Sequence, residues 1–174
     1  METRRGRSSC LFSERNNYFI SSFLPDPVDF PPGKMEEGGK DQLIQYLILR
    51  GDLKWPVGSL VAQGAHAASA ALHIFREDSQ TQRFLADLDR MHVCVLKVPD
   101  EVALSSLADQ LKEKDIGFKL WIEQPENVAT CLATKPYMKS AVSSFFAHLK
   151  LFRGLHPVGF LPETSSTPSR SRLI

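Results

Sequence analysis

The stretch QYLILRGDLKWPVGSLVAQGAHAASAALHIF, Gln45 to Phe75, decides the fold. Its first six residues, QYLILR (Gln45–Arg50), are short and mostly apolar, which reads as a strand buried on both faces in the middle of a sheet. GDLKWPVGS follows as a loop, with Pro56 and Gly58 as breakers and Ser59 as the expected N-cap of a helix running to about Phe75. At 100° per residue, Leu60, Gly64, Ala67, Ala68, Ala71 and Phe75 fall on one side of that helix. Side chains this small let a helix lie close on a sheet. Ser59, Gln63, His66, Ser69, Ala70 and His73 collect on the opposite side. This stripe is polar but uncharged, whereas solvated helix faces ordinarily carry charged residues. It predicts partial cover or the wall of a groove; the alternative is a solvated or partly buried face whose Gln and His hydrogen bonds hold neighbouring loops.

Working outward, SQTQRFLADLDRM reads as a second helix and VCVLKV (Val93–Val98) as the next strand. PDEVALSSLADQLKEKDIG begins with Pro99 and two acids, carries Leu104, Leu107 and Leu111 at core spacing, has lysines near its end and Gly117 just past it. Acids at the start and cations at the end suit the helix dipole. FKLWIE and VATCLAT read as strands separated by QPEN, and YMKSAVSSFFAHLKLF as a closing helix. The order β-α-α-β-α-β-β-α predicts a layered single α/β domain with a mixed four-stranded β-sheet flanked by helices. Residues 1–40 hold Pro25, Pro27, Pro31 and Pro32 and then GKMEEGG, so they are expected to form a flexible leader, with Met35 as an alternative start. Residues 154–174 are rich in Pro and Ser and read as a flexible tail, which places the folded unit at 41–153.

Charge and composition narrow the function. The whole chain carries +1, and 41–153 holds thirteen basic and thirteen acidic residues, without the strongly basic footprint of a general nucleic-acid binder. A local basic patch is still allowed. Cys10, Cys94 and Cys131 are odd in number and lack CxxC spacing, which argues against a disulfide framework or zinc knuckle and for a reducing compartment. No apolar run approaches the roughly 20 residues needed to span a bilayer, so no membrane association is expected. The expected location is the cytoplasm; Arg4, Arg5, Arg7 and Arg15 suggest a mitochondrial presequence as the minor alternative, interrupted by Glu2 and Glu14. His66 and His73 lie seven apart, too far for an i, i+4 metal pair, and the glycines form neither a phosphate loop nor a nucleophile elbow around Ser59.

LILRGDLKWPVGSLVAQGAHAASAAL followed by VLKVPDEVALSSLADQL resembles the type 2 peptidyl-tRNA hydrolase family. In that family an Arg-x-Asp-Leu loop leads into Gly-Lys-x-Ala-Ala-Gln-x-x-His-Ala, and Pro-Asp-Glu opens the helix after the second strand. LWIEQPENVATCLATKPY resembles an animal branch of the family still more closely. The resemblance implies a mixed four-stranded sheet between helices and cleavage by water of the ester joining a peptide to tRNA, with no metal or organic cofactor. It leaves the oligomeric state open, a homodimer included. Mapped by position, Arg50, Asp52, Gln63 and His66 match the family's loop and helix. Two positions depart. Ser59 stands where the family has Lys, with Lys54 nearby as a substitute cation, and Gln124 stands where it has Asp, with Glu123 or Glu126 as substitute carboxylates. Thr130 matches a later strand residue and not the family's site Thr.

Ester hydrolysis needs a group that orients or deprotonates water and a group that stabilises the oxyanion. The expected catalytic set is His66 with Glu123 or Glu126, and the expected substrate-binding set is Arg50, Asp52, Lys54, Ser59 and Gln63. In the competing reading His66 is a core residue holding the Asp52 loop, and the chain is a catalytically inactive family member that binds RNA or protein. Trp121 reads as a core strand residue or as a platform for a base; Trp55 or Trp121 filling the cleft would count against the hydrolase.

Overall fold

The computed structural model describes residues 11–13, 18–20 and 41–153. Two short strands, β1 (Leu11–Ser13) and β2 (Tyr18–Ile20), come first. There follow β3 (Leu43–Arg50), α1 (Val57–Ile74), α2 (Ser79–Ala86), β4 (His92–Val98), α3 (Glu101–Glu113), β5 (Phe118–Glu123), β6 (Val128–Thr134), β7 (Tyr137–Met138), α4 (Lys139–Phe146) and β8 (Lys150–Leu151).

The apolar strand β3 is central, parallel to β4 on one side and antiparallel to β6 on the other. A parallel pair needs a long crossover, which α1 and α2 supply. β5 pairs antiparallel with β6, giving a mixed sheet in the order β1-β2-β5-β6-β3-β4-β8, with β7 beside the start of β3. The four long strands are those expected, but the sheet is larger. Within 41–153 the two-residue strands β7 and β8 bring it to six, and β1 and β2 extend it past β5. Both additions inside the domain come from the stretch read as one closing helix, of which only Lys139–Phe146 is helical. Its flanks pair with β3 and β4 instead, Met138 opposite Leu43 and Lys150 opposite Lys97.

Successive residues of a strand point to opposite faces, and β3 feeds two cores. Tyr46 and Ile48 join Leu96, Leu132, Val142 and Phe146 and the α3 residues Leu104, Leu107 and Leu111. Leu47 and Leu49 join Leu60, Ala67, Ala71, Cys131 and Ala133 where α1 lies on the sheet. The periodic leucines of α3 are 0–4% exposed, each worth about 1.5–3 kcal/mol of burial.

The start of α1 corrects the expected cap. α1 starts at Val57, with Pro56 (ψ 146°) as the boundary residue and the Leu60 N–H donating to the Pro56 carbonyl at 3.1 Å. Ser59 therefore lies within the first turn instead of capping it, and α1 has neither a side-chain cap nor an acid there. Past α3 the left-handed residue is Asp115 (φ 56°); Gly117 serves packing, since a Cβ there would lie 2.9 Å from the Phe75 ring.

A buried ion pair ties α2 to the turn between β6 and β7. Lys135 contacts Asp78, their side chains 7% and 8% exposed, while the same carboxylate caps α2 by accepting from the Gln80 and Thr81 N–H groups. The ammonium sits 4.6 Å from the centroid of the Tyr137 ring, whose hydroxyl accepts from the Gly117 N–H at 2.7 Å. Replacing Lys135→Met strands the Asp78 charge and is expected to lower the unfolding free energy in urea by about 3 kcal/mol. A loss below about 1 kcal/mol, within the range of a surface pair, would contradict this role.

Candidate functional site

The candidate site forms where the carboxyl end of β3 and the start of α1 meet an irregularity in β6. Trp121 pairs with Cys131 and Ile122 with Ala129, which leaves Thr130 as the extra residue of a β-bulge. Ala129 stays in the core with Ile122, and Cys131 stays in the core beneath α1. The Thr130 hydroxyl turns to α1 and donates to Gln63 Oε1 at 2.8 Å. Both residues are buried, so Gln63 forms the inner margin of the polar stripe and not part of its open side. Gln63 Nε2 has no partner among the described residues and remains a donor. His66, Ser69 and His73 are exposed, and His66 is therefore not a core residue.

The preceding residue of β6 receives Arg50. Its Nη1 donates to the Ala129 carbonyl at 2.8 Å and to Glu101 Oε2 at 2.7 Å, while Nε and Nη2 hold the two oxygens of Asp52 at 3.0 and 2.8 Å. The Arg50 side chain is 9% exposed, so this charge is removed from water and met by acceptors on three segments. The Arg50 hydrogen bonds hold the Asp52 carboxyl below the usual carboxylate range, and Asp52 in turn raises the guanidinium. Gly51 lets this loop pass tightly over β4: its N–H donates to the Val98 carbonyl at 2.8 Å, and a Cβ there would lie 2.5 Å from Lys97 Cδ.

On the far side of the stripe, the Trp121 ring stacks on the His66 imidazole, with centroids 4.8 Å apart and planes 17° from parallel. The Trp121 indole Nε1–H donates to Glu123 Oε2 at 2.8 Å. Glu123 thus reaches the neighbour of His66 and not the imidazole itself. Glu126 is exposed in the β5–β6 turn, where Gln124 bonds Asn127 at 3.4 Å. Lys54 is exposed in the loop before α1, and Ser59 is half-buried in its first turn. Burial pushes the Cys131 thiol up to about 12 and raises Cys94 as well, so neither offers a thiolate nucleophile. Among the described residues no three His, Cys, Asp or Glu side chains gather as a metal-binding group.

Residues 43–152 match the family Peptidyl-tRNA hydrolase PTH2. The chain belongs to this family. A human relative named "Putative peptidyl-tRNA hydrolase PTRHD1" is 46% identical over 127 residues, covering 69% of this chain and 91% of the human protein. The mouse protein of the same name is 48% identical over 116 residues, covering 64% of this chain and 83% of its own.

In this PTH2-family chain, Glu101 and Thr130 lie outside the expected site residues, yet they hold Arg50 and Gln63. Glu101 lay in the family's Pro-Asp-Glu motif, a signal available in the sequence; the bulge that aims Thr130 has none. Thr130→Val removes the donor to Gln63 and is expected to cost about 1–3 kcal/mol of stability. A Gln63→Leu, Thr130→Val double variant should lose less than the sum of the single losses in denaturant titrations, whereas simple additivity would show that the bond is not formed.

Proposed function

We propose that this chain cleaves the ester joining a peptide, or an N-blocked amino acid, to the 3′ end of tRNA, with water as the nucleophile. The observation that supports it most is the pairing of a buried, bulge-held Gln63 with an exposed His66 one turn away, beside the Arg50-anchored loop, in a PTH2-family chain. In open α/β sheets ligands bind outside the carboxyl ends of the strands, and Arg50, which anchors the loop, is the last residue of β3. In the reaction the His66 imidazole takes a proton from water as the water oxygen attacks the ester carbonyl carbon. The Gln63 amide donates to the oxyanion that forms. Collapse breaks the bond to the ribose oxygen, which leaves with the proton from the imidazolium and frees the peptide's carboxylic acid, which then loses its proton to solvent. Four of the five Arg50 N–H donors are engaged and hold the loop, while the partly exposed Asp52 offers an acceptor to a ribose hydroxyl. Lys54, Ser59 and the uncapped N–H groups of the α1 first turn suit a backbone phosphate.

A second reading, a family member that binds RNA or protein without cleaving, is favoured by the indole lying over His66 and by Ser59 and Gln124 at the family's Lys and Asp positions. Diacetyl-lysyl-tRNA separates the two. The full chain is expected to release the acylated lysine, and His66→Ala to fall about a hundredfold with unfolding unchanged. Binding of the tRNA without release supports the second reading; neither binding nor release sinks the hydrolase and the RNA-binding form of the second reading.

A further inference from the structure

We infer that Trp121 and Glu123 are positioning residues for His66: the carboxylate fixes the indole, and the indole face fixes the plane of the imidazole. The inference rests on the hydrolase reading above. A general base must be held at a defined angle to the water it activates, and histidine bases are commonly oriented by a carboxylate bonded to one ring nitrogen. Here the family's Asp position is Gln124, which bonds Asn127 within its own turn. Glu123 spends its carboxylate on the indole N–H at 2.8 Å, and the indole lies 4.8 Å from the imidazole at 17°.

Each link restrains the next. Trp121 packs, half-buried, against the core beneath α1 and pairs with Cys131, and the bond to Glu123 sets the rotation of its ring. His66 is exposed, and the χ2 torsion of an exposed histidine is otherwise broad. Stacking narrows it through the ring face alone. Neither ring nitrogen of His66 bonds a described residue, so both stay open to water and to the leaving oxygen. The same bulge serves both ends of the stripe: it turns Thr130 toward Gln63 and marks where Trp121, still on the α1 side of the sheet, gives way to Ile122.

The test measures cleavage of diacetyl-lysyl-tRNA by the full chain, with His66 ring protons followed by NMR. Glu123→Ala should lower kcat about tenfold at little change in KM, and Glu123→Gln, whose amide oxygen still accepts from the indole, should recover most of that loss. Trp121→Phe, which keeps an aromatic face without the tether, should fall between. The upfield shift that the indole imposes on the His66 protons should persist in Glu123→Gln and weaken in Glu123→Ala. If Glu123→Gln loses as much as Glu123→Ala, Glu123 acts by its charge and the inference is overturned. It also fails if Glu123→Ala keeps both wild-type kcat and the upfield shift. A wild type that binds but never cleaves overturns the hydrolase reading and with it the catalytic role, while the NMR shift reports separately whether the ring is held.

Discussion

A guanidinium at the end of the central strand, removed from water, constrains everything around it. Arg50 has a planar fork of donors, and the fold meets it with the Asp52 carboxylate, Glu101 and the Ala129 carbonyl. A charge removed from water is costly unless acceptors reach it, so the loop after β3, the first turn of α3 and the start of β6 must all sit where the fork points. Asp52 and Glu101 are 39% and 50% exposed, and their attraction to Arg50 is accordingly screened. What the arrangement contributes is placement more than stability.

Placement matters because the bulge comes directly after the carbonyl that Arg50 holds. With Ala129 fixed by Arg50 and Cys131 fixed opposite Trp121, Thr130 has one way to turn, toward Gln63. A buried amide on a helix of small residues is tolerated only because that hydroxyl meets it. The neutral stripe on α1 is thus part buried and part solvated. Its inner edge is hydrogen-bonded, its outer edge is exposed, and an aromatic ring covers His66 at the boundary between them.

The parts of this arrangement that obey a one-dimensional period were legible in the sequence. QYLILR as a central strand, the alanine face of α1, and Leu104, Leu107 and Leu111 as core follow from spacing alone, and the family pattern marked Arg50, Asp52, Gln63 and His66 together. What depends on register was not legible. β7 and β8 are two residues each and exist only because β3 and β4 have unpaired backbone to offer. Gln63 looked outward on a helical wheel because nothing in its neighbours reveals a hydroxyl delivered by a bulge 67 residues later. Glu123 looked like a partner for the imidazole, and the strand geometry gives it the indole instead.

The coupling through Arg50 is tested most directly by amide hydrogen exchange on wild type and Arg50→Lys, since a lysine keeps the charge but cannot span three acceptors. The account predicts faster exchange in the 51–56 loop, in the first turn of α3 and at Thr130 together, with the α3 and α4 core still protected. Exchange unchanged in those segments, or raised only uniformly across the whole domain, would contradict it.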